Sequence, residues 1–122
     1  MAAAVTANPG SAVRLADFPI PADQVTAGAP VARIWVNAQS PDLKVTQGVW
    51  DCTAGTFSWD YTWDEFMLIL EGEAIITSEA GDTTTLRAGD HANFPLGLKV
   101  IWHVPSYIKK TFVLRTPAPL EL

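Results

Sequence analysis

Residues 56–64 alternate between large aromatic and small polar side chains with a period of two. Phe57, Trp59, Tyr61 and Trp63 share one side of this pattern, and threonine, serine and aspartate fill the positions between them. Such alternation is typical of a β-strand with one face in a core and the other in water. The stretch therefore predicts a half-buried strand around which the rest of the chain is organised.

The remainder of the chain has the pattern of about nine or ten short strands with frequent turns and no capped helical period. Gly81-Asp82 predicts a tight turn that joins two strands into a hairpin. Further strands are predicted at 32–36, 44–51, 66–70, 74–78, 83–86, 92–94, 100–104 and 108–114. Many short strands predict an all-β sandwich or barrel. Residues 1–30 contain several prolines and glycines and predict an N-terminal arm packed on a single domain at 31–122.

The overall charge excludes several classes of partner. Thirteen acidic residues against eight basic ones give a net charge of −5, and the largest basic cluster is Lys109-Lys110. Such a chain does not neutralise a row of phosphates, so neither nucleic acid nor an anionic membrane surface is an expected partner.

The cysteine count and the first residues of the chain both bear on where in the cell the protein is expected. The single cysteine, Cys52, cannot form an internal disulfide, which favours a reducing environment. The first residues lack the basic and apolar regions of a signal peptide, and no apolar run approaches the ~20 residues of a membrane span. We therefore expect a soluble, cytoplasmic protein.

Glu65 is the strongest candidate for a functional residue. It continues the aromatic side of the alternation and is followed by an apolar run, so the pattern carries its carboxylate toward the interior. Desolvation of a carboxylate is costly unless it has partners. Two interpretations stay open: a structural carboxylate that caps backbone amides or pairs with a lysine, and a pocket carboxylate that exchanges a proton near neutral pH.

The aromatic residues also allow two interpretations. Trp59, Tyr61 and Trp63 can simply pack in the core, which is the usual role of aromatics with a period of two. Alternatively, they line a pocket and stack on a planar ligand or surround a cation.

Two spacings in the sequence resemble the motifs of cupins. Glu65 followed by Gly72 resembles the end of the first motif, E-x6-G, and Gly89 with Pro95-Leu96-Gly97 resembles the start of the second, G-x5-P-x-G. Four segments resemble more narrowly the small single-domain cupins grouped with (S)-ureidoglycine aminohydrolase, a family labelled DUF861 or cupin_3. These segments are Val49-Trp50-Asp51-Cys52, residues 59–65, Leu70-Glu71-Gly72 and Lys110-Thr111-Phe112.

This resemblance implies an RmlC-like fold, a double-stranded β-helix or jelly-roll barrel, whose mouth usually holds a metal bound by three histidines and a glutamate. Trp59, Tyr61 and Val100 stand where that pattern has histidines, and only Glu65 remains. One carboxylate is a poor site for zinc, iron or manganese. We therefore expect no cofactor, with a divalent metal at Glu65 as a disfavoured alternative.

The resemblance and the alternation together assign roles to individual residues. Glu65 and Tyr61 are the expected catalytic residues, Glu65 as the acid, base or anchor and Tyr61 as a hydrogen-bond partner of the ligand or of Glu65. The expected ligand-binding residues are Trp59, Trp63, Met67, Lys99 and Trp102. Lys110 is a weaker candidate, as an ion-pair partner for a buried acid.

The predicted function is the binding of a small polar organic molecule in the barrel mouth around Glu65, without the usual histidine-bound metal. The alternative is a metal-dependent aminohydrolase that acts on a ureido or other nitrogen-rich metabolite. Whether the chain is an enzyme is left open, either as a hydrolase of C–N bonds or as a metal-free acid/base isomerase. The outward positions Phe66, Leu68 and Leu70 predict an apolar face and a homodimer.

Overall fold

The computed structural model describes residues 3–122 and is built almost entirely of β-strands. Met1 and Ala2, the start of the predicted arm, lie outside the described residues. The eight strands are β1 (Ala16–Asp17), β2 (Val25–Gly28), β3 (Ala32–Gln39), β4 (Val45–Asp60), β5 (Asp64–Ser78), β6 (Thr83–Arg87), β7 (His91–Phe94) and β8 (Lys99–Arg115). Two single-turn 3-10 helices, Gly10–Ala12 and Ala22–Gln24, precede β1 and β2 respectively.

Antiparallel pairing joins all eight strands in the order β1-β3-β4-β8-β5-β6, with β2 added to β4 and β7 added to β5. The three longest strands, β4, β5 and β8, have 16, 15 and 17 residues and form most of the sheet. Strand β8 lies between β4 and β5 and pairs with both along most of its length. The predicted all-β class is confirmed, and the predicted hairpin forms between β5 and β6.

The long strands differ from the short ones that the sequence predicts. Residues 44–51 and the first part of the aromatic stretch form one strand, β4, which ends at Asp60; likewise 66–70 and 74–78 form β5, and 100–104 and 108–114 form β8. The single strand predicted over residues 56–64 is wrong, because residues 61–63 form the connection between β4 and β5. There the Tyr61 backbone N–H donates to the Leu98 carbonyl and the Tyr61 carbonyl accepts from the Gly97 N–H, both at 2.8 Å.

Gly55, Gly72 and Pro105 lie at or beside shifts in strand register instead of ending strands. Such β-bulges bend a strand without ending it. The glycines and the proline that the sequence suggests as turn residues therefore lie where long strands bend.

The bulge in β4 also changes which residues face inward. Thr46, Gly48 and Cys52 are buried before the bulge, whereas Gly55 and Phe57 are buried after it. The core-facing positions therefore switch from even to odd numbers, because the extra residue rotates the chain by one position. Asp51 is also buried before the bulge, but on the opposite side of the strand, where Arg33 and Tyr107 contact it.

Both terminal segments pack on the barrel. Strand β1 pairs with β3, and β2 pairs with β4 up to Phe57, so the region predicted as an arm contributes two strands to the sheet. At the other end, the Leu120 backbone N–H donates to the Leu43 carbonyl at 2.8 Å, and the Gln39 side chain donates to the Leu120 carbonyl at 2.9 Å.

The core lies between the facing inner surfaces of the long strands. Its largest fully buried side chains include Trp102, Phe57, Ile69 and Ile108. Cys52 is buried, and burial raises the pKa of its thiol to about 12. Within residues 3–122, no helix is long and apolar enough to cross a membrane.

Candidate functional site

A cavity of about 120 Å³ lies inside the barrel, enclosed by the inner faces of β3, β4, β5 and β8 and by both terminal segments. Its aromatic wall includes Trp50, Phe57, Trp59, Tyr61, Trp63 and Trp102. Among the described residues that line the cavity, Glu65 and Lys110 are the only ones with charged side chains.

Glu65 and Lys110 form a buried ion pair. Glu65 lies near the start of β5 and is 4% exposed, while Lys110 lies on the neighbouring strand β8 and is 5% exposed. The Lys110 ammonium Nζ donates to Glu65 Oε2 at 2.5 Å, and the Trp63 indole N–H donates to the other oxygen, Oε1, at 3.0 Å. Each oxygen of the carboxylate therefore has a donor, which offsets part of the cost of its burial.

Two indole rings flank the Lys110 ammonium. Nζ lies 4.5 Å from the ring centroid of Trp50 and 4.9 Å from that of Trp102. Attraction between a cation and an aromatic face strengthens when both are removed from water. Lys110 is thus a cation held by two tryptophans and one carboxylate.

Tyr61 provides a phenol beside this cation. Its hydroxyl oxygen accepts the Trp102 indole N–H at 3.1 Å, and its ring packs against Phe94 with centroids 5.0 Å apart. Burial raises the pKa of Tyr61 well above its ordinary value, and the negative charge of Glu65 raises it further. Tyr61 therefore remains a protonated hydrogen-bond donor at neutral pH.

The structure brings five of the seven predicted site residues to the cavity: Glu65, Tyr61, Trp59, Trp63 and Trp102. The other two lie elsewhere. Met67 is buried in the core, where β5 pairs it with Phe112 and Ala92. Lys99 is exposed, because the alternation of β8 turns the adjacent Val100 inward and Lys99 outward.

Sequence reasoning missed Trp50 and gave Lys110 too little weight. Lys110 shares its side of β8 with the buried Ile108, Phe112 and Leu114, and a lysine within such an apolar alternation is the signal that points to a buried charge. The inward position of Trp50 depends on the bulge in β4, which the sequence does not reveal.

The histidine-bound metal implied by the cupin motifs does not fit these residues. Trp59 and Val100 have no side-chain atom that binds a divalent metal ion well, and the carboxylate of Glu65 already contacts a positive charge. Both histidines are exposed, and the Nδ1 atom of His103 lies 2.8 Å from the Thr56 hydroxyl. Residues 3–122 contain no cluster of three or more histidine, cysteine, aspartate or glutamate side chains that could hold a metal.

The family model for the EutQ-like cupin domain, Cupin_3, matches residues 39–112. The chain belongs to this cupin family. The predicted cupin jelly-roll fold is thereby confirmed. The narrower assignment to cupins of the ureidoglycine aminohydrolase type stays a prediction. No curated protein matches the sequence.

Solved structures of several bacterial proteins share the fold. A DUF861-family protein of unknown function from Pseudomonas syringae pv. tomato has a TM-score of 0.78 and 22% identity over 84% of this chain and 45% of its own. A putative ethanolamine utilization protein Q from Salmonella typhimurium has a TM-score of 0.68 and 23% identity, covering 88% of this chain and 82% of its own. The Clostridium difficile EutQ protein has a TM-score of 0.64 and 24% identity, covering 74% of this chain and 65% of its own.

This EutQ-like cupin spans less than half of the Pseudomonas protein and just under two thirds of the Clostridium one. At these identities the similarity shows a shared fold. The function must therefore be argued from the cavity itself.

Proposed function

We propose that this cupin binds a small polar organic molecule in the cavity around Glu65, without a histidine-bound metal. The observation that carries the proposal is the buried Glu65–Lys110 pair at the wall of an aromatic-lined cavity of about 120 Å³. A small ligand site is commonly a mostly apolar concavity with a few polar groups that fix the orientation of the ligand.

Folding alone gives little reason for this arrangement. Replacing a buried ion pair by apolar side chains of similar volume is often neutral or stabilises a protein by about 1–4 kcal/mol. The pair also lies at a cavity with apolar walls, where a ligand could pack against the aromatic faces and meet the two charged groups. This arrangement supports a binding role for Glu65 and Lys110.

Binding is favoured over the metal-dependent aminohydrolase because the residues at the expected metal positions are poor ligands. Trp59 and Val100 cannot replace two histidines, and the ammonium of Lys110 would repel a metal ion at Glu65. Release of ammonia from ureido substrates by protein loaded with manganese, and its absence after chelation, would favour the aminohydrolase instead.

The test is a thermal-shift screen of small metabolites against the wild-type protein and the double variant Glu65→Gln/Lys110→Met. A ligand that binds only the folded protein at a hundred times its Kd stabilises it by about 2.7 kcal/mol. We expect the wild type to gain this stabilisation from at least one small polar compound and the double variant to lose it. Removing both charges leaves neither one unpaired, so the double variant should fold.

The matched control is Glu71→Gln/Lys109→Met, which removes an ion pair between the same two strands at the surface, with Nζ and Oε2 3.6 Å apart. Exposed pairs contribute little to stability, about 0–1 kcal/mol. This control should retain the full ligand response. Equal responses in the wild type and in the Glu65/Lys110 variant would contradict the proposed site.

A further inference from the structure

Two donors that line the cavity have hydrogens without an acceptor among residues 3–122. The Tyr61 hydroxyl accepts from Trp102, but its own hydrogen is donated to no described atom. The Lys110 ammonium has three N–H donors, and the only described atom that accepts one is Glu65 Oε2. Each of the two atoms already has one hydrogen-bond partner, so the remaining hydrogens can be donated to a ligand acceptor without breaking a hydrogen bond of the fold.

Trp102 holds the two donors on one side of the cavity. Its indole N–H is bonded to the Tyr61 oxygen, and its ring face lies 4.9 Å from the Lys110 Nζ. Trp102 is 2% exposed and stacks on Phe57 and Phe94, so its indole is a rigid platform for both groups. One fixed side chain therefore contacts both the phenol and the ammonium.

We propose that Tyr61 and Lys110 together receive the oxygen of an uncharged carbonyl compound, such as a small ketone, aldehyde or amide. This inference rests on the proposed binding function and names its ligand class. The ammonium supplies a positively charged donor, and the phenol supplies the second donor.

The charge balance of the cavity favours an uncharged ligand. Glu65 and Lys110 already neutralise each other, so an anion would face the carboxylate without compensation and a cation would face the ammonium in the same way. A carbonyl oxygen accepts both hydrogen bonds without adding a net charge. Burial raises the pKa of Tyr61, which keeps its donor hydrogen in place.

The volume limits the ligand to about the size of one small ring. The cavity measures about 120 Å³, and an apolar cavity of roughly 150 Å³ in another protein accepts benzene. The aromatic walls suit the apolar body of such a compound, because they provide flat faces against which it packs. Cyclopentanone, a five-membered ring with one carbonyl oxygen, fits these limits.

The experiment compares three probes of about the same size: cyclopentanone, methylenecyclopentane, in which a CH2 group replaces the oxygen, and cyclopropanecarboxylate. Each is titrated by NMR into the wild type and into Tyr61→Phe, with the tryptophan indole N–H signals as readout. Loss of one neutral hydrogen bond should weaken cyclopentanone about fivefold in Tyr61→Phe. Methylenecyclopentane should bind both proteins with Kd values within about twofold, because it never used the hydroxyl.

A second readout follows the ligand itself. The carbonyl 13C resonance of bound cyclopentanone should move downfield in the wild type, and the movement should be smaller in Tyr61→Phe. A purely structural role for Tyr61 would not change this signal selectively. Methylenecyclopentane binding also verifies that the variant keeps an intact cavity.

Three results would overturn the inference. Equal weakening of both neutral probes would show that Tyr61 only shapes the wall, while the proposed binding function would stand. Tighter binding of cyclopropanecarboxylate than of cyclopentanone by the wild type would assign the site to anions instead. If cyclopentanone does not bind the wild type, the carbonyl receptor is wrong, whereas the proposed binding function is decided separately by the metabolite screen with the Glu65/Lys110 variant.

Discussion

At the scale of single residues, Glu65 was predictable and its partner much less so. The alternation in residues 57–65 predicts an inward Glu65, and its carboxylate is buried, although residues 61–63 connect two strands and Glu65 belongs to the second of them, β5. Its pairing with Lys110 depends on how β5 and β8 lie side by side, across 45 residues of sequence. Local patterns predict which side of a strand a residue occupies, whereas the identity of its partner is set by long-range register.

Asp51 shows how a second buried carboxylate is stabilised outside the cavity. It is 1% exposed and accepts hydrogen bonds from Arg33 Nε at 3.0 Å, from Arg33 Nη2 at 2.5 Å and from the Tyr107 hydroxyl at 2.7 Å. Burial alone would raise the pKa of Asp51, but the hydrogen bonds from Arg33 and Tyr107 outweigh it and lower the pKa. The ionised carboxylate is therefore the form that the fold stabilises.

This lowered pKa predicts a specific dependence of stability on pH. A group whose pKa is lower in the folded state stabilises the fold above its unfolded value, 3.8 for Asp51, and that contribution disappears as the pH falls through the folded value. We expect the difference in free energy of unfolding between the wild type and Asp51→Asn to be constant between about pH 7 and pH 5 and to shrink below about pH 3.8.

Urea denaturation across this pH range measures the difference. The control is Asp60→Asn, which removes an exposed carboxylate at the end of the same strand and corrects for the change in net charge. A difference for Asp51→Asn that stays unchanged down to the lowest pH would show that its carboxylate is not selectively stabilised in the fold.

At the scale of elements, the sequence predicts the existence of strands better than their ends. The residues that usually mark turns, Gly55, Gly72 and Pro105, lie within long bent strands here. Glycine and proline disturb the backbone in a bulge as they do in a turn, and only the neighbouring strand decides between the two. The sequence therefore predicts more and shorter strands, although the fold class is correct.

Gly72 is a position where this curvature requires glycine. Its φ angle is +74°, and a Cβ atom there would lie 1.8 Å from the carbonyl oxygen of Tyr107 on β8. Gly81, in the β5–β6 turn, also has a positive φ of +89°, but a Cβ atom there would meet nothing within 4 Å. Both positions therefore have a positive φ angle that favours glycine, but only Gly72 lies against a second strand that leaves no room for a Cβ atom.

We expect Gly72→Ala to lower the free energy of unfolding by about 3 kcal/mol or more, since it adds a steric clash to the unfavourable φ angle. Gly81→Ala adds no clash and is opposed only by the positive φ angle, so it should lower the free energy of unfolding by about 1 kcal/mol. Urea midpoints of the two variants and the wild type measure both effects. Equal losses would mean that β8 moves away from Gly72 at little cost.

At the scale of the whole molecule, the terminal segments complete the cavity. Phe18 and Ile20 from the N-terminal side and Leu120 from the C-terminal side contribute to its lining. Phe18 and Ile20 lie between the short strands β1 and β2, and Leu120 follows β8, so no strand alternation predicts that these three side chains face the cavity. The centre of the candidate site was thus accessible to sequence reasoning, whereas its rim was not.

The outer surface of the barrel carries an apolar patch. Phe66 and Val113 are opposite each other on β5 and β8 and are 54% and 36% exposed, and Leu70 on the same strand as Phe66 is 41% exposed. Scattered apolar side chains are ordinary on a protein surface, but neighbouring ones on adjacent strands are a common feature of interaction sites. We propose that this patch joins two copies of the chain in a homodimer.

Sedimentation equilibrium should therefore give twice the chain mass of 13.2 kDa. Phe66→Arg places a charge in the apolar patch and should shift the equilibrium to monomer, because burial of an unpaired charge in an interface is costly. Val31→Arg is the control, since Val31 is similarly exposed at 52% but precedes β3, away from the patch. A wild-type mass of one chain at all concentrations, or a dimer that survives Phe66→Arg, would show that the apolar patch does not join two copies.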